Sequence, residues 1–239
     1  MVDIYDAKQI VNLSGGKDST AMLLMMLARG EPISEVVYVD LGWEFPAMKD
    51  HIDKLQSDTG LPFVRLDIAE QIHYNFAERL VNSTKVPPHN GYGWAWPRCR
   101  WCTSLKKEAI NNYIKDKEYD YSCIGIAVGE ERRVKDAKKL RYPLIEYGVT
   151  EAQALAYCKA RGYNWSGLYD VFSRVSCFCC PLQKRVDLIN LKKYYPELYE
   201  RMREMDSQLN WRCSFKDGMS FAEYEKRMVD NYDKKEVKK

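Results

Sequence analysis

The chain has 239 residues, 46% hydrophobic and 30% charged, enough apolar material to bury a real core and too much for disorder to be its main state. Lys and Arg number 37 against 34 Asp and Glu, a formal charge of +3, so the overall field is too weak for non-specific attraction to nucleic acid or membrane, and any nucleic-acid contact has to be local. No apolar run approaches the roughly 20 residues of a bilayer span, and the first residues lack a basic stretch leading into an apolar one, so a cytoplasmic protein with no membrane partner is expected.

In chain order, residues 9–13 form a short apolar run that ends in Ser14-Gly15-Gly16 and leads into an apolar-periodic stretch, residues 19–29, which Gly30 closes. That pattern predicts strand, glycine turn, helix. Residues 35–40 predict a second buried strand, 45–59 a helix closed by Gly60, and 63–67 a third strand. After a loop rich in Pro, Gly and aromatics at residues 85–98, a helix is expected at 104–117 and a fourth strand at 121–126. Strands alternating with helices imply an α/β, Rossmann-like parallel sheet with flanking helices. Ligands of such sheets bind at the carboxyl ends of the strands, where Ser14, Asp40 and Gly125 fall. Beyond Tyr147 the texture changes: Thr150, followed three residues later by Gln153, predicts a capped helix start, and the remainder reads as mainly helical. The expected division is an α/β nucleotide-binding domain over 1–146 and a helical C-terminal region over 147–239.

The turn after the first strand carries the most specific chemistry. Two glycines between a buried strand and a helix set several backbone N–H groups and the positive end of the helix dipole around one small volume, which suits phosphate oxygens. The run Ser14-Gly15-Gly16-Lys17-Asp18-Ser19 adds two hydroxyls, a cation and an acid. It is not a Walker loop: that pattern needs glycine where Val11 stands and a hydroxyl residue where Asp18 stands.

Five of the eight cysteines fall in two tight groups, Cys99/Cys102 and Cys177/Cys179/Cys180. Two pairs of thiolates across turns supply the four soft ligands of zinc or an iron–sulfur cluster, and Cys99, Cys102, Cys177 and Cys180 give the symmetric spacing. Cys123 and Cys158 read as core. Trp94, Trp96 and Trp101 with Arg98 and Arg100 either stack a nucleic-acid strand or pack their loop onto the cluster.

The glycine loop resembles that of the PP-loop superfamily, adenine-nucleotide enzymes that act at the α-phosphate or the group attached to it. Residues 39–46, residues 125–133 and Tyr142-Pro143-Leu144 look like the phosphoadenylyl-sulfate (PAPS) reductase family within it. Leu41 and Ala127 depart from the aspartate-threonine-glycine and glycine-isoleucine-arginine patterns typical there, removing a hydroxyl and a cation. The resemblance implies the adenine nucleotide alpha hydrolase-like fold. It assigns Ser14, Gly15, Gly16, Lys17, Asp18 and Ser19 to phosphate, Asp40 to the adenosine side, and Arg132 and Arg133 as candidate anion clamps.

The resemblance also favours a four-iron cluster over zinc, since Lys106 and Lys107 follow the first cysteine pair as basic residues do in the adenylyl-sulfate reductases. The reductases' nucleophilic cysteine, set in a glutamate-cysteine-glycine-x-histidine tail, has no counterpart here after Cys213. Three functions follow. The first is sulfonucleotide reduction, with Lys17 and Asp18 catalytic and a thiol as reductant. The second is an ATP pyrophosphatase forming AMP, with magnesium at Asp18, that adenylates or thiolates an acceptor such as nucleic acid using a sulfur donor. The third is a non-enzymatic nucleotide or redox sensor.

Overall fold

A computed structural model describes residues 3–82 and 87–236. Their described parts form two compact units that interleave along the chain: Met1–Asp40, Glu44–Asp67 and Glu108–Tyr169 make the first, and Leu41–Trp43, Ile68–Lys107 and Asp170–Lys239 the second.

The first unit is built on a five-stranded sheet in the order β3-β2-β1-β6-β7, with every pairing parallel. The strands are β1 (Gln9–Leu13), β2 (Glu35–Asp40), β3 (Phe63–Asp67), β6 (Tyr121–Ile124) and β7 (Leu140–Arg141). Val36, Val37, Tyr38 and Val39 are all buried, the signature of a strand covered on both faces by crossover helices. On one side Ile10 and Val37 pack with Ile114, Ile110 and Tyr113 of α4 (Trp101–Ile114). Helix α1 (Lys17–Ala28) connects β1 to β2 and α2 (Pro46–Thr59) connects β2 to β3, while α5 (Pro143–Glu146) and α6 (Glu151–Lys159) follow β7 and pack beside α1. This is the α/β Rossmann-like architecture expected from the alternation of strands and helices. The Thr150 capping box forms as its spacing predicts, with Gln153 N–H donating to Thr150 Oγ1 and Thr150 N–H to Gln153 Oε1.

Several boundaries differ from expectation, the end of α4 among them, at Ile114 rather than 117. Helix α1 begins at Lys17 rather than residue 19, because extended Gly16 already serves as its cap. Helix α4 begins at Trp101 rather than 104, because a tight turn at 96–99, closed by reciprocal backbone hydrogen bonds between Trp96 and Cys99, releases the chain directly into helix. Strand β6 stops at Ile124, where Ile126 N–H turns back to the Ile124 carbonyl. Strand β7 had no readable pattern at two residues. It is tied to β1 by a buried polar cluster in which Arg141 binds Glu31, Glu146 at 2.6 Å and Gln9 at 2.7 Å.

In the second unit the described elements are α3 (Ala69–His73), a π-turn at Tyr74–Glu78, the hairpin β4 (Leu80–Val81) and β5 (His89–Asn90), the start of α4, the end of the short α7 (Leu168–Val171), and the helices α8 (Arg185–Tyr194), α9 (Pro196–Ser207) and α10 (Phe221–Glu236). Its core is aromatic: Trp94 sits 5.1 Å from both Phe76 and Phe215, and Trp43 meets Phe76 and Trp101 edge-on. Trp94 and Trp101 therefore pack the loop, whereas Trp96 is 49% exposed. Lys85 and Val86 of that loop lie outside the described residues.

Candidate active site

Strand β1 delivers the chain into a turn that only glycine permits. Gly15 is left-handed, φ 79°, and a Cβ there would run into the Met48 sulfur. Gly125, just past the end of β6, lies so close to the turn that a Cβ would stand 2.7 Å from Ser19 Cα and 2.8 Å from its nitrogen. The neighbouring strand end thus presses against the first turn of α1. The hydroxyls of Ser14 and Ser19 face each other at 2.9 Å, and Ser19 Oγ accepts from Ser14 N–H and donates to the Gly16 carbonyl. The amides of Gly15, Gly16, Asp18 and Ser19 have no acceptor among the described residues. Unfilled donors at the start of a 12-residue helix make an anion site.

Lys17 projects its Nζ between two carboxylates, 3.1 Å from Asp18 Oδ2 and 2.6 Å from Glu151 Oε2. Burial opposes the Lys17 charge, but Glu151 and Asp18 outweigh it and hold the amine above the ordinary lysine range. Burial also holds the Asp18 carboxyl above its usual range despite Lys17, with Glu151 and Glu130 adding to the shift. Asp18 Oδ1 is buried with no hydrogen-bond partner. One unfilled carboxylate oxygen beside a phosphate site fits the ligand that magnesium takes when phosphates supply most of its shell.

Four residues of this site escaped the sequence reading. Glu151 opens α6 and Tyr169 lies in α7; the Tyr169 hydroxyl accepts from Lys17 N–H at 2.8 Å. Trp165 Nε1–H donates to the Gly15 carbonyl at 2.7 Å, and its ring stacks on His51, whose Nε2 lies 3.0 Å from Thr20 Oγ1. Among the sequence candidates, Asp40 closes β2 opposite Asp67 of β3. Arg133 is held by Glu130 at 2.6 and 2.7 Å, and its charge reaches Glu151; Arg132 is exposed on the same short helix, Glu131–Arg133.

In the second unit, burial pushes the Cys179 thiol well above its ordinary range, and the sulfurs of Cys177, Cys180 and Cys102 push it the same way. Cys102 is raised by burial and by Cys180. The sulfurs of the two groups are thus electrostatic neighbours, and Cys179, set aside on spacing, lies among them. Yet no group of three or more His, Cys, Asp or Glu among the described residues is close enough to hold a metal ion. As they stand these thiols do not form a ligand set. Cys213 is buried, accepts from Trp94 N–H at 3.2 Å, and is pushed by burial up to about 11. A groove of about 560 Å³ in this unit is lined by Leu41, Trp43, His73, Tyr74, Glu78 and Arg201 among others. It contains none of the converging donors of the glycine turn, which is the better-built site on chemical grounds.

Residues 8–183 match the phosphoadenosine phosphosulfate reductase domain. Two uncharacterised proteins of Methanocaldococcus jannaschii are similar to the chain. One is 25% identical over 80% of this chain and 40% of its own length, the other 27% identical over 80% and 45%. A tRNA-cytidine(32) 2-sulfurtransferase of Xanthomonas oryzae pv. oryzae is 32% identical over 52% of this chain and 36% of its own. The chain spans less than half the length of each of these relatives. A match that runs through the glycine turn and the whole parallel sheet settles kinship: the chain belongs to the phosphoadenosine phosphosulfate reductase domain family of the PP-loop superfamily.

Proposed function

We propose that the chain splits ATP at its α-phosphate, releases pyrophosphate, and adenylates an acceptor carbonyl of a nucleic-acid base. The carrying observation is the convergence of four unfilled amides and the Lys17 ammonium on the tip of β1. An acceptor oxygen forms the new bond to the α-phosphorus while the bond to the bridging oxygen breaks and pyrophosphate leaves. The amides and Lys17 stabilise the charge that develops on the phosphate oxygens. Asp18 Oδ1 would hold a magnesium ion brought in with the nucleotide, and that cation would supply charge neutralisation for the leaving pyrophosphate. In the thiolating form of the reaction, a sulfide-class donor then attacks the activated carbon and AMP departs with the original oxygen, with no net oxidation.

Two observations support ATP over a sulfonucleotide. Leu41 and Ala127 are buried and apolar where the resemblance expects a hydroxyl and a cation. Cys213, with its thiol raised to about 11, is neutral near pH 7 and a poor nucleophile. The partial relative named as a tRNA sulfurtransferase supports the acceptor class. So does Trp96, exposed on its clamped turn beside exposed Arg98 and Arg100, an arrangement suited to stacking a base and gripping a backbone. The second reading, sulfonucleotide reduction, is favoured by the family match itself.

Incubation with α-labelled ATP and tRNA, in parallel with a labelled sulfonucleotide, separates the two. AMP or adenylated RNA is expected from ATP alone, and sulfite released from the sulfonucleotide would select the reductase reading. Lys17→Ala is expected to lower turnover about 10²- to 10³-fold, the usual effect of deleting one preorganised charge-stabilising donor. Unchanged turnover in that variant would remove the loop from the mechanism.

A further inference from the structure

The phosphate loop is not empty of acceptors: the protein itself fills two of its donors. Tyr169 Oη takes the Lys17 N–H at 2.8 Å, and Glu151 Oε2 takes the Lys17 ammonium at 2.6 Å. Both come from distant sequence, 152 and 134 residues away. An amide donates one strong hydrogen bond at a time, and an ammonium clasped by two carboxylates has already spent its best directions. Phosphate oxygens entering the loop compete for the same donors that these two oxygens now hold.

The segment that carries Tyr169 is held in an unusual conformation. Trp165, Ser166 and Gly167 are left-handed in succession, with φ 51°, 51° and 82°, and two of them are not glycine. Residues held there are strained and persist only where surrounding contacts over-determine them. The contacts on hand are the Trp165 hydrogen bond to the Gly15 carbonyl, its stack on His51, the Asn164 side chain accepting from Ser166 N–H at 3.1 Å, and Tyr169 set edge-on to Trp165 at 4.7 Å. Glu151, by contrast, sits in the first turn of a regular, well-capped helix and is half exposed. The first occupant is on a strained backbone and the second is a half-exposed carboxylate at the end of a flexible side chain, so vacating the loop needs a shift of one short segment and a rotamer change rather than unfolding.

We propose that Tyr169 and Glu151 belong to the nucleotide site as the groups that phosphate displaces, and that they set its affinity. This rests on the phosphate-loop reading above. The Tyr169 hydroxyl marks where a phosphate oxygen is received at the Lys17 amide, and Glu151 weakens the site by occupying Lys17 and by repelling the anion. Deleting either competitor leaves the donors and removes the contest.

The test is calorimetric titration of ATP, inorganic pyrophosphate and adenosine into the full chain and its variants. Tyr169→Phe keeps the ring against Trp165 and removes the hydroxyl that accepts from Lys17 N–H; it is expected to bind ATP and pyrophosphate about three- to tenfold more tightly, the scale of one neutral hydrogen bond. Glu151→Gln is expected to tighten both ligands, more at low salt than at high, and the double variant to tighten them further. Adenosine, which has no phosphate, is expected to bind all four proteins alike, a readout that a general loosening of the fold would not give. Lys17→Ala is expected to abolish pyrophosphate binding in every background. Unchanged or weaker pyrophosphate binding by Tyr169→Phe, with the wild type binding normally and the variant folded by thermal melt, overturns this inference alone. A wild type that binds neither ATP nor pyrophosphate overturns the phosphate-loop reading and this inference with it.

Discussion

His51 shows how one buried side chain links the stability of the first unit to acidity. It is 5% exposed, stacked at 4.5 Å on Trp165 and within hydrogen-bond reach of Thr20, and burial, aided by the Lys54 charge, lowers its pKa from 6.5 to about 4. The unfolded chain takes up this proton near pH 6.5, while the native chain refuses it until about pH 4. Its contribution is therefore complete above pH 6.5 and is lost as pH falls through the interval down to 4, where the unfolded state binds more protons. Between pH 7.5 and 5.0 the loss attributable to His51 is about 2 kcal/mol. Urea denaturation of the wild type and of His51→Gln at both pH values measures it as the difference between the two proteins' losses; equal losses would show that His51 titrates normally. Since Trp165 joins this ring to the Gly15 carbonyl, acid acts directly behind the glycine loop. None of this was legible in the sequence, where His51 is one position in a helix, because its role depends on Trp165, more than a hundred residues away.

Among the elements, the glycine loop was the most legible because its chemistry is local. The strand, the turn and the helix dipole are consecutive in the chain, so residue types at fixed offsets describe the site. The cap of α6 was legible for the same reason. What fills the loop was not: Glu151 and Tyr169 arrive from the chain beyond β7, and neither their residue types nor their spacing marks them. The cysteine groups lie between these cases, since spacing marks two groups of thiols but neither how closely two separate segments bring them together nor that Cys179 lies among the neighbouring sulfurs. Gly125 is also a crossover feature, and it yields a sharp test. Its backbone needs no left-handed φ, so space alone forbids a side chain, and an added Cβ would press on the Ser19 backbone at 2.7 and 2.8 Å. Neither helix α1 nor strand β6 yields by bending a side chain, because the atoms in contact are backbone. Gly125→Ala is expected to cost about 1–3 kcal/mol, the usual range for overpacking, and to weaken ATP binding by moving the first turn of α1. Thermal melts with calorimetric titration check it; a variant with wild-type stability and affinity would mean that the loop and β6 move independently.

At the scale of the whole molecule, a formal charge of +3 conceals a strong local asymmetry. Residues 96–107 contain Arg98, Arg100, Lys106 and Lys107 and no acid, so this one stretch exceeds the excess carried by the entire chain. The whole-chain figure averages this stretch away: Arg98, Arg100 and Lys107 are all solvent-exposed, and Trp96 and Arg98 lie on a turn closed by two backbone hydrogen bonds. A nucleic-acid acceptor gripped here would release counterions in proportion to the phosphates neutralised. For single strands that gives a slope of log affinity against log salt of roughly −0.7 per contact, so about −2 for three exposed cations. Fluorescence titration of a labelled single-stranded RNA at several salt concentrations is expected to show that slope. Arg98→Gln with Arg100→Gln is expected to bring it to about −0.7, since one exposed cation remains. Trp96→Ala acts on a different term: stacking is insensitive to salt, so affinity is expected to fall about 5- to 100-fold with the slope unchanged. A slope that survives loss of both arginines would place the RNA on another face, and no measurable binding at low salt would turn the search for the acceptor away from nucleic acid.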